Sequence, residues 1–181
     1  MKLFKSYKSL YISNYIKLTK GVGLADSKEI KKRIYTSFSE IATSIGYSDI
    51  HGRIIGALLV NKNKLSLQDL AKETGYSIST ISLSLDLLEF LGMIKKIKKA
   101  GDRKLYVELQ GDLLEGLKKA FVIKIQKNIE NSLTSFEDYK IVLKKENDEE
   151  SKKTMKVLNT LEGQIKRLDM YIKLLSKLKL P

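Results

Sequence analysis

Residues 65–109 read LSLQDLAKETGYSISTISLSLDLLEFLGMIKKIKKAGDRKLYVEL, and this stretch decides the fold. Ser66 is placed to cap a short helix over Leu67–Thr74, with Leu67, Leu70 and Ala71 on its inner face. Gly75 supplies the positive φ that a helix C-cap often needs, and Ser77 caps the next helix, which runs to about Leu91. Ile81, Leu85 and Leu88 form its inner stripe, and Gly92 ends it. Two strand-like runs follow, Met93 to Lys99 and Leu105 to Leu109, across the turn Ala100-Gly101-Asp102-Arg103. Two capped helices joined by a glycine turn, then a hairpin, predict a helix-turn-helix with a β wing.

Upstream, Asp26 or Ser27 can cap a helix in which Ile30, Ile34, Phe38, Ile41 and Ile45 recur at helical spacing, expected inward, with a stop near Gly46. A second helix starts near Ser48 or Asp49 and carries Ile50, Ile54, Ile55, Leu58 and Leu59. Residues 1–26 read as an N-terminal arm whose Leu3, Tyr7, Leu10, Tyr11 and Ile16 could share a stripe; packing is its expected role, with phosphate or membrane-surface contact as alternatives. From Asp112 the chain is helical to its end. A first stripe runs from Leu114 to Phe136, the polar segment 144–153 interrupts it, and Leu158, Leu161, Ile165, Leu168, Ile172 and Leu175 then form a coiled-coil-like seam. The pattern leaves open whether that seam pairs within the chain or between chains. The expected architecture is mainly α with a small β wing: an arm (1–26), a winged helix-turn-helix (27–110) and a helical dimerisation region (111–181), either helical hairpin or coiled coil.

The 181 residues are 43% hydrophobic and 30% charged, enough to bury a core. The formal charge of +13 favours a polyanionic partner, nucleic acid or an anionic surface, over an acidic one. Cysteine is absent and His51 is the single histidine, so thiolate nucleophiles, disulfides and multi-histidine zinc sites are excluded. There is no Walker-type loop and no Gly-x-Gly-x-x-Gly, so no enzyme chemistry and no cofactor are expected. No run approaches the roughly 18 apolar residues of a membrane span, and the expectation is a cytoplasmic protein.

The helix after Ser77 carries the candidate reading face: Ser77, Ser79, Thr80, Ser82 and Leu83, with Asp86 further along. In a major groove its hydroxyls can meet base edges, and Leu83 or the Thr80 methyl can meet a thymine methyl. No Arg, Lys, Asn or Gln lies on this face, so strong bidentate base contacts are missing from it. The hairpin concentrates Lys95, Lys96, Lys98, Lys99, Arg103 and Lys104. Lys98, Lys99, Asp102, Arg103 and Lys104 are the wing candidates: the basic groups for phosphates or a minor groove, Asp102 either to hold the turn or to orient the Arg103 guanidinium.

Taken together, His51-Gly52-Arg53-Ile54-Ile55-Gly56, Leu65-Ser66-Leu67-Gln68-Asp69-Leu70-Ala71, Gly75-Tyr76-Ser77, Leu87-Leu88-Glu89, Leu91-Gly92-Met93-Ile94-Lys95-Lys96 and Gly101-Asp102-Arg103-Lys104 resemble MarR-type regulators, nearest the GbsR-like branch. The resemblance covers about residues 27–115. It implies a transcription regulator, usually a repressor, that binds double-stranded DNA as a homodimer through its terminal helices, with recognition starting near Ser77 and a wing arginine at Arg103. The Ser/Thr-rich reading face and the longer C-terminal region depart from that family. The branch is associated with osmoprotectant-responsive genes, but Tyr35, Phe38, Tyr47 and Tyr76 do not define an aromatic cage, so no small-molecule effector is assigned. The alternatives are a winged-helix module that assembles with another protein through the coiled coil, and a non-specific DNA-binding protein.

Overall fold

A computed structural model describes residues 26–98, 100–146 and 148–179. The expected N-terminal arm lies outside the described residues, apart from Asp26. Helix α1 (Ser27–Ser44) begins at Asp26, whose side chain accepts from the Lys28 amide. Helix α2 (Asp49–Val60) crosses it, and the crossing is made by small residues. A Cβ on Gly52 would lie 2.0 Å from the Phe38 carbonyl oxygen, so only glycine lets the two backbones approach this closely. Ser39 and Ala42 are buried on the α1 side of this contact, together with Tyr35.

That crossing corrects part of the expected inward stripe of α1, of which Phe38 and Ile45 do pack against the core. The face against α2 is Tyr35, Ser39 and Ala42, whereas Ile30 and Ile41 are substantially exposed. Hydrophobic spacing marks a face without saying how near the neighbouring backbone comes. In α2 the expectation holds: Ile50, Ile54, Ile55 and Leu58 are buried, and Ile54 and Leu58 are wholly so.

Strand β1 (Lys64–Ser66), α3 (Leu67–Thr74), α4 (Ile78–Phe90), β2 (Ile94–Lys98) and β3 (Leu105–Leu109) complete the winged unit. Its punctuation is the expected one. The Ser66 hydroxyl accepts from the Asp69 amide at 3.1 Å, and Gly75 takes φ +79° and closes α3 by donating its backbone N–H to the Ala71 carbonyl. The Ser77 hydroxyl accepts from the Thr80 amide at 3.2 Å. Leu70, Ile81, Leu85, Leu88, Ile94 and Val107 pack with α2 into one core.

Strand β1 is missing from the sequence reading, which treats residues 61–64 as a turn. Lys62 and Asn63 do turn, both at positive φ, but Lys64–Ser66 then pairs antiparallel with β3 in the register Leu65 to Val107. The sheet order is β1-β3-β2. Three residues are too few to show an alternation, and the pairing is supported from outside the segment by Glu108 of β3, 3.0 Å from Lys64 Nζ.

Helices α5 (Leu113–Glu146) and α6 (Glu149–Lys177) pack on each other as a hairpin, so the polar segment 144–153 contains a helix–helix connection. Asp148 caps α6 by accepting from the Ser151 amide at 2.7 Å. Helix α5 also joins the winged unit: Ala120 is buried in the main core, and the Tyr47 hydroxyl donates to its carbonyl at 2.9 Å. At the other end of the same contact Lys119 Nζ donates to the Phe90 carbonyl at 2.5 Å, closing the C-terminus of α4.

The expected single seam of α6 is really two interleaved rows. Leu158, Ile165 and Ile172 face α5, where Ile172 packs with Val122 and Ile129. Leu161 and Leu168, assigned to the same seam, are 48% and 41% exposed. They belong to an outward row with Val157, Gln164, Tyr171, Leu174 and Leu178. The inward row includes Glu162, bound by Lys140 of α5 at 2.5 Å and by Lys166 at 2.6 Å. Consecutive Leu and Ile residues at spacings of three and four satisfy either row, so the sequence merges them.

Hydrogen bonds from Lys140 and then Lys166 hold the Glu162 carboxyl down to about 2, below its ordinary 4.5. Because the folded value is depressed, the stabilisation is complete above pH ~4.5 and is lost as pH falls towards ~2. Side-chain carbon NMR should show Glu162 titrating well below the other glutamates; a midpoint near the ordinary value would mean that the α5–α6 ion pair does not form.

Candidate nucleic-acid interface

The reading face begins with a small hydroxyl cluster. Ser77 Oγ caps α4 through the Thr80 amide, and it also lies 2.8 Å from Ser79 Oγ and 2.7 Å from Thr80 Oγ1. All three residues are exposed, as are Ser82 and Leu83. Leu83, 78% exposed, is the most exposed large hydrophobic among the described residues. Sequence reasoning missed Ile78, which stands 46% exposed at the first position of α4. Its place directly after an N-cap, before the inner stripe starts at Ile81, is the signal that could have found it.

Past Leu83 the face becomes acidic, with Asp86 and Glu89, and the wing answers this directly. Lys96 of β2 reaches Asp86 at 2.5 Å and Glu89 at 2.8 Å, and its backbone amide donates to Glu89 at 3.2 Å. The hydrogen bonds from Lys96 hold the Glu89 carboxyl below its usual range, and those with Asp86 and Glu89 hold the lysine above its own. The consequence is mechanical as well as electrostatic: one side chain fixes β2 against the helix that carries the reading face. Lys95 lies 3.5 Å from Glu108, which Lys64 also reaches.

The hairpin lysines therefore divide into two groups. Lys95 and Lys96 have carboxylates of their own, while Lys98, Arg103 and Lys104 are exposed; Lys99 lies outside the described residues. Asp102 holds the turn. One of its oxygens accepts from the Lys104 amide and the other from the Tyr106 hydroxyl, each at 2.9 Å, while Gly101 takes φ +80°. The carboxylate next to it raises the Tyr106 hydroxyl above its usual value. Of the two roles open to Asp102, these bonds account for the first.

Behind α4 lies an apolar cavity of about 290 Å³, bounded by Phe38, Ile41, Ile45, Leu87, Leu117 and their neighbours, with His51 at its wall. Phe38 and Tyr47 line it; Tyr35 and Tyr76 instead donate to Glu73 and Asp49. The four aromatics weighed for a cage thus do not form one lining. Among the described residues no helix is long and apolar enough to cross a membrane.

No protein-family model and no curated protein matches the chain. Among solved structures it is similar to a transcriptional regulator, at 18% identity over 79% of this chain and 92% of that one, with a TM-score of 0.48. It is also similar to a point mutant of MepR from S. aureus bound to an oligodeoxyribonucleotide, at 20% identity over 77% and 92% of the two chains and a TM-score of 0.38. A third is the multiple antibiotic-resistance repressor (MarR) from Listeria monocytogenes 4b F2365, at 19% identity over 87% and 96%, with a TM-score of 0.34. Likenesses this loose carry no weight in assigning the interface, which rests on its own geometry.

Replacing Asp102 with Ala removes two hydrogen bonds from the wing turn. At ~1 kcal/mol for each bond, local opening should become about tenfold more frequent or greater. Amide hydrogen exchange at Lys104 is the readout, and unchanged protection there would show that the turn stands without Asp102.

Proposed function

We propose that this chain is a dimeric transcription regulator of the MarR type that binds double-stranded DNA in a sequence-dependent way. The observation that carries the reading is the join between α4 and the wing: an N-capped helix with an exposed outer face, fixed through Lys96 to a hairpin whose tip presents Arg103 and Lys104. A helix of this kind fits a major groove, and a basic tip fits the phosphates or the minor groove beside it. Lys98 extends the same positive edge. The Gly-Asp-Arg-Lys turn adds the resemblance to the GbsR-like branch, and a repressor is the role that resemblance favours.

Homodimerisation is supported by the outward row of α6. Its inward row is already used against α5, so the exposed Val157, Leu161, Leu168 and Tyr171 need another surface to leave water. A second copy offers the same row and leaves each winged unit clear. The apolar cavity behind α4 is the place we assign to a small apolar effector. The outward row also favours a second reading, in which α6 docks a different protein and the winged unit serves assembly.

The deciding experiment is fluorescence anisotropy on the chain's own upstream DNA and a scrambled duplex over a salt series. Arg103→Ala with Lys104→Ala should weaken binding to both duplexes and flatten the salt dependence by about 1.8 logarithmic units, at ~0.9 for each phosphate left without its cation. An unchanged slope would place the DNA surface elsewhere. In sedimentation, Leu161→Lys with Leu168→Lys should convert a dimer to a monomer without loss of helix content. A parent chain that is already monomeric would favour assembly with another protein.

A further inference from the structure

The reading face of α4 is built for apolar contact, and this inference rests on the DNA-binding reading above. Its polar groups are few and largely committed. Three hydroxyls meet at Ser77, and each carries one hydrogen. The two oxygen–oxygen contacts use two of those three hydrogens, leaving the cluster one donor for a base edge. Ser84, one turn on, donates to the Thr80 carbonyl and is buried. Asp86 is bound by Lys96. No side chain on this face can make the two-pronged contact that identifies a guanine or an adenine.

What the face does present is Leu83, 78% exposed, with the Ser79 and Ser82 hydroxyls beside it; Ile78, five residues earlier, lies about 140° round the helix, on the side of Ile81 and Leu85. Leu83 lies four residues after Ser79, so the two stack on the same outward side of the helix. The major groove offers one apolar group, the C5-methyl of thymine, and cytosine lacks it. We propose that Leu83 selects the DNA by packing on a thymine methyl group, which makes it the specificity-determining residue and makes thymine-bearing half-sites the preferred ligand. The wing, with Arg103 and Lys104, then supplies affinity that is indifferent to sequence.

The test uses the full chain and the duplexes that it enriches from a random-sequence pool. Each enriched duplex is remade with deoxyuridine in place of thymidine at one position at a time, which removes the methyl and leaves the base-pairing edge intact. Loss of about fourfold in affinity is expected at one or more positions in each half-site, from ~0.8 kcal/mol for each buried methylene-sized group. In Leu83→Ala that penalty should shrink towards onefold at the position Leu83 covers, while Ile78→Ala, on the other side of the helix, should leave it unchanged. Leu83 is 78% exposed, so its replacement does not disturb the core. Equal affinity for every thymidine and deoxyuridine pair would overturn methyl reading while leaving DNA binding intact. So would a penalty that survives Leu83→Ala, or binding without any enriched sequence. Failure to retain any duplex at low salt would overturn the DNA-binding reading itself.

Discussion

The contact on which the rest of the molecule depends is the crossing of α1 and α2 at Gly52. The helices meet backbone to backbone there, with no room for a Cβ beside the Phe38 carbonyl. This closeness lets α2 serve as the centre of the core, with Ile54 and Leu58 wholly buried against α3, α4 and the sheet. It also sets what α1 cannot bury. With the crossing made by Tyr35, Ser39 and Ala42, the larger Ile41 and Phe38 are turned towards α5, and the apolar cavity opens between them and Leu117. A bulkier crossing would separate α1 from α2 and alter the walls of that cavity.

Electrostatics then orders the pieces that hydrophobic packing leaves free to slide. Lys96 joins the wing to α4, Glu108 joins β1 to β2 through Lys64 and Lys95, and Glu162 sets α5 against α6. The pair at Glu162 is largely covered, and those at Lys96 and Glu108 are partly exposed. Their effect here is positional: each joins two elements that a short strand or a uniform row of aliphatic side chains would not hold in one register.

The features legible in the sequence are those decided locally. Ser66, Gly75, Ser77 and Gly92 punctuate the helices because caps depend on the backbone within three or four residues. The buried stripe of α4 follows from its period, and the candidate residues Ser79, Thr80, Ser82 and Leu83 are exposed as that period requires. The misses are all matters of partner. Strand β1 exists because β3 is beside it. Ile30 and Ile41 of the α1 stripe are exposed, while Phe38 and Ile45 pack on the core, because the closest approach is made at a glycine on another helix. The α6 seam divides because two surfaces, not one, compete for its leucines. Ile78 was overlooked because aliphatic residues at helical spacing read as core until the neighbouring elements are in place.

The junction of α5 with the winged unit gives the molecule a lever. Helix α5 has 34 residues, so at 1.5 Å each it is about 50 Å long. Its fulcrum lies near its start, where Gly116 meets Met93, the Tyr47 hydroxyl holds the Ala120 carbonyl and Lys119 holds the end of α4. A rod of that length pivoting by one degree displaces its far end by almost an ångström, about 0.9 Å on the same rise per residue. Run in reverse, the same ratio gears large shifts among the distal helices down to small rotations of α4. The exposed outer face of α4 is thus held at the short arm, where positional noise from the rest of the hairpin is most attenuated.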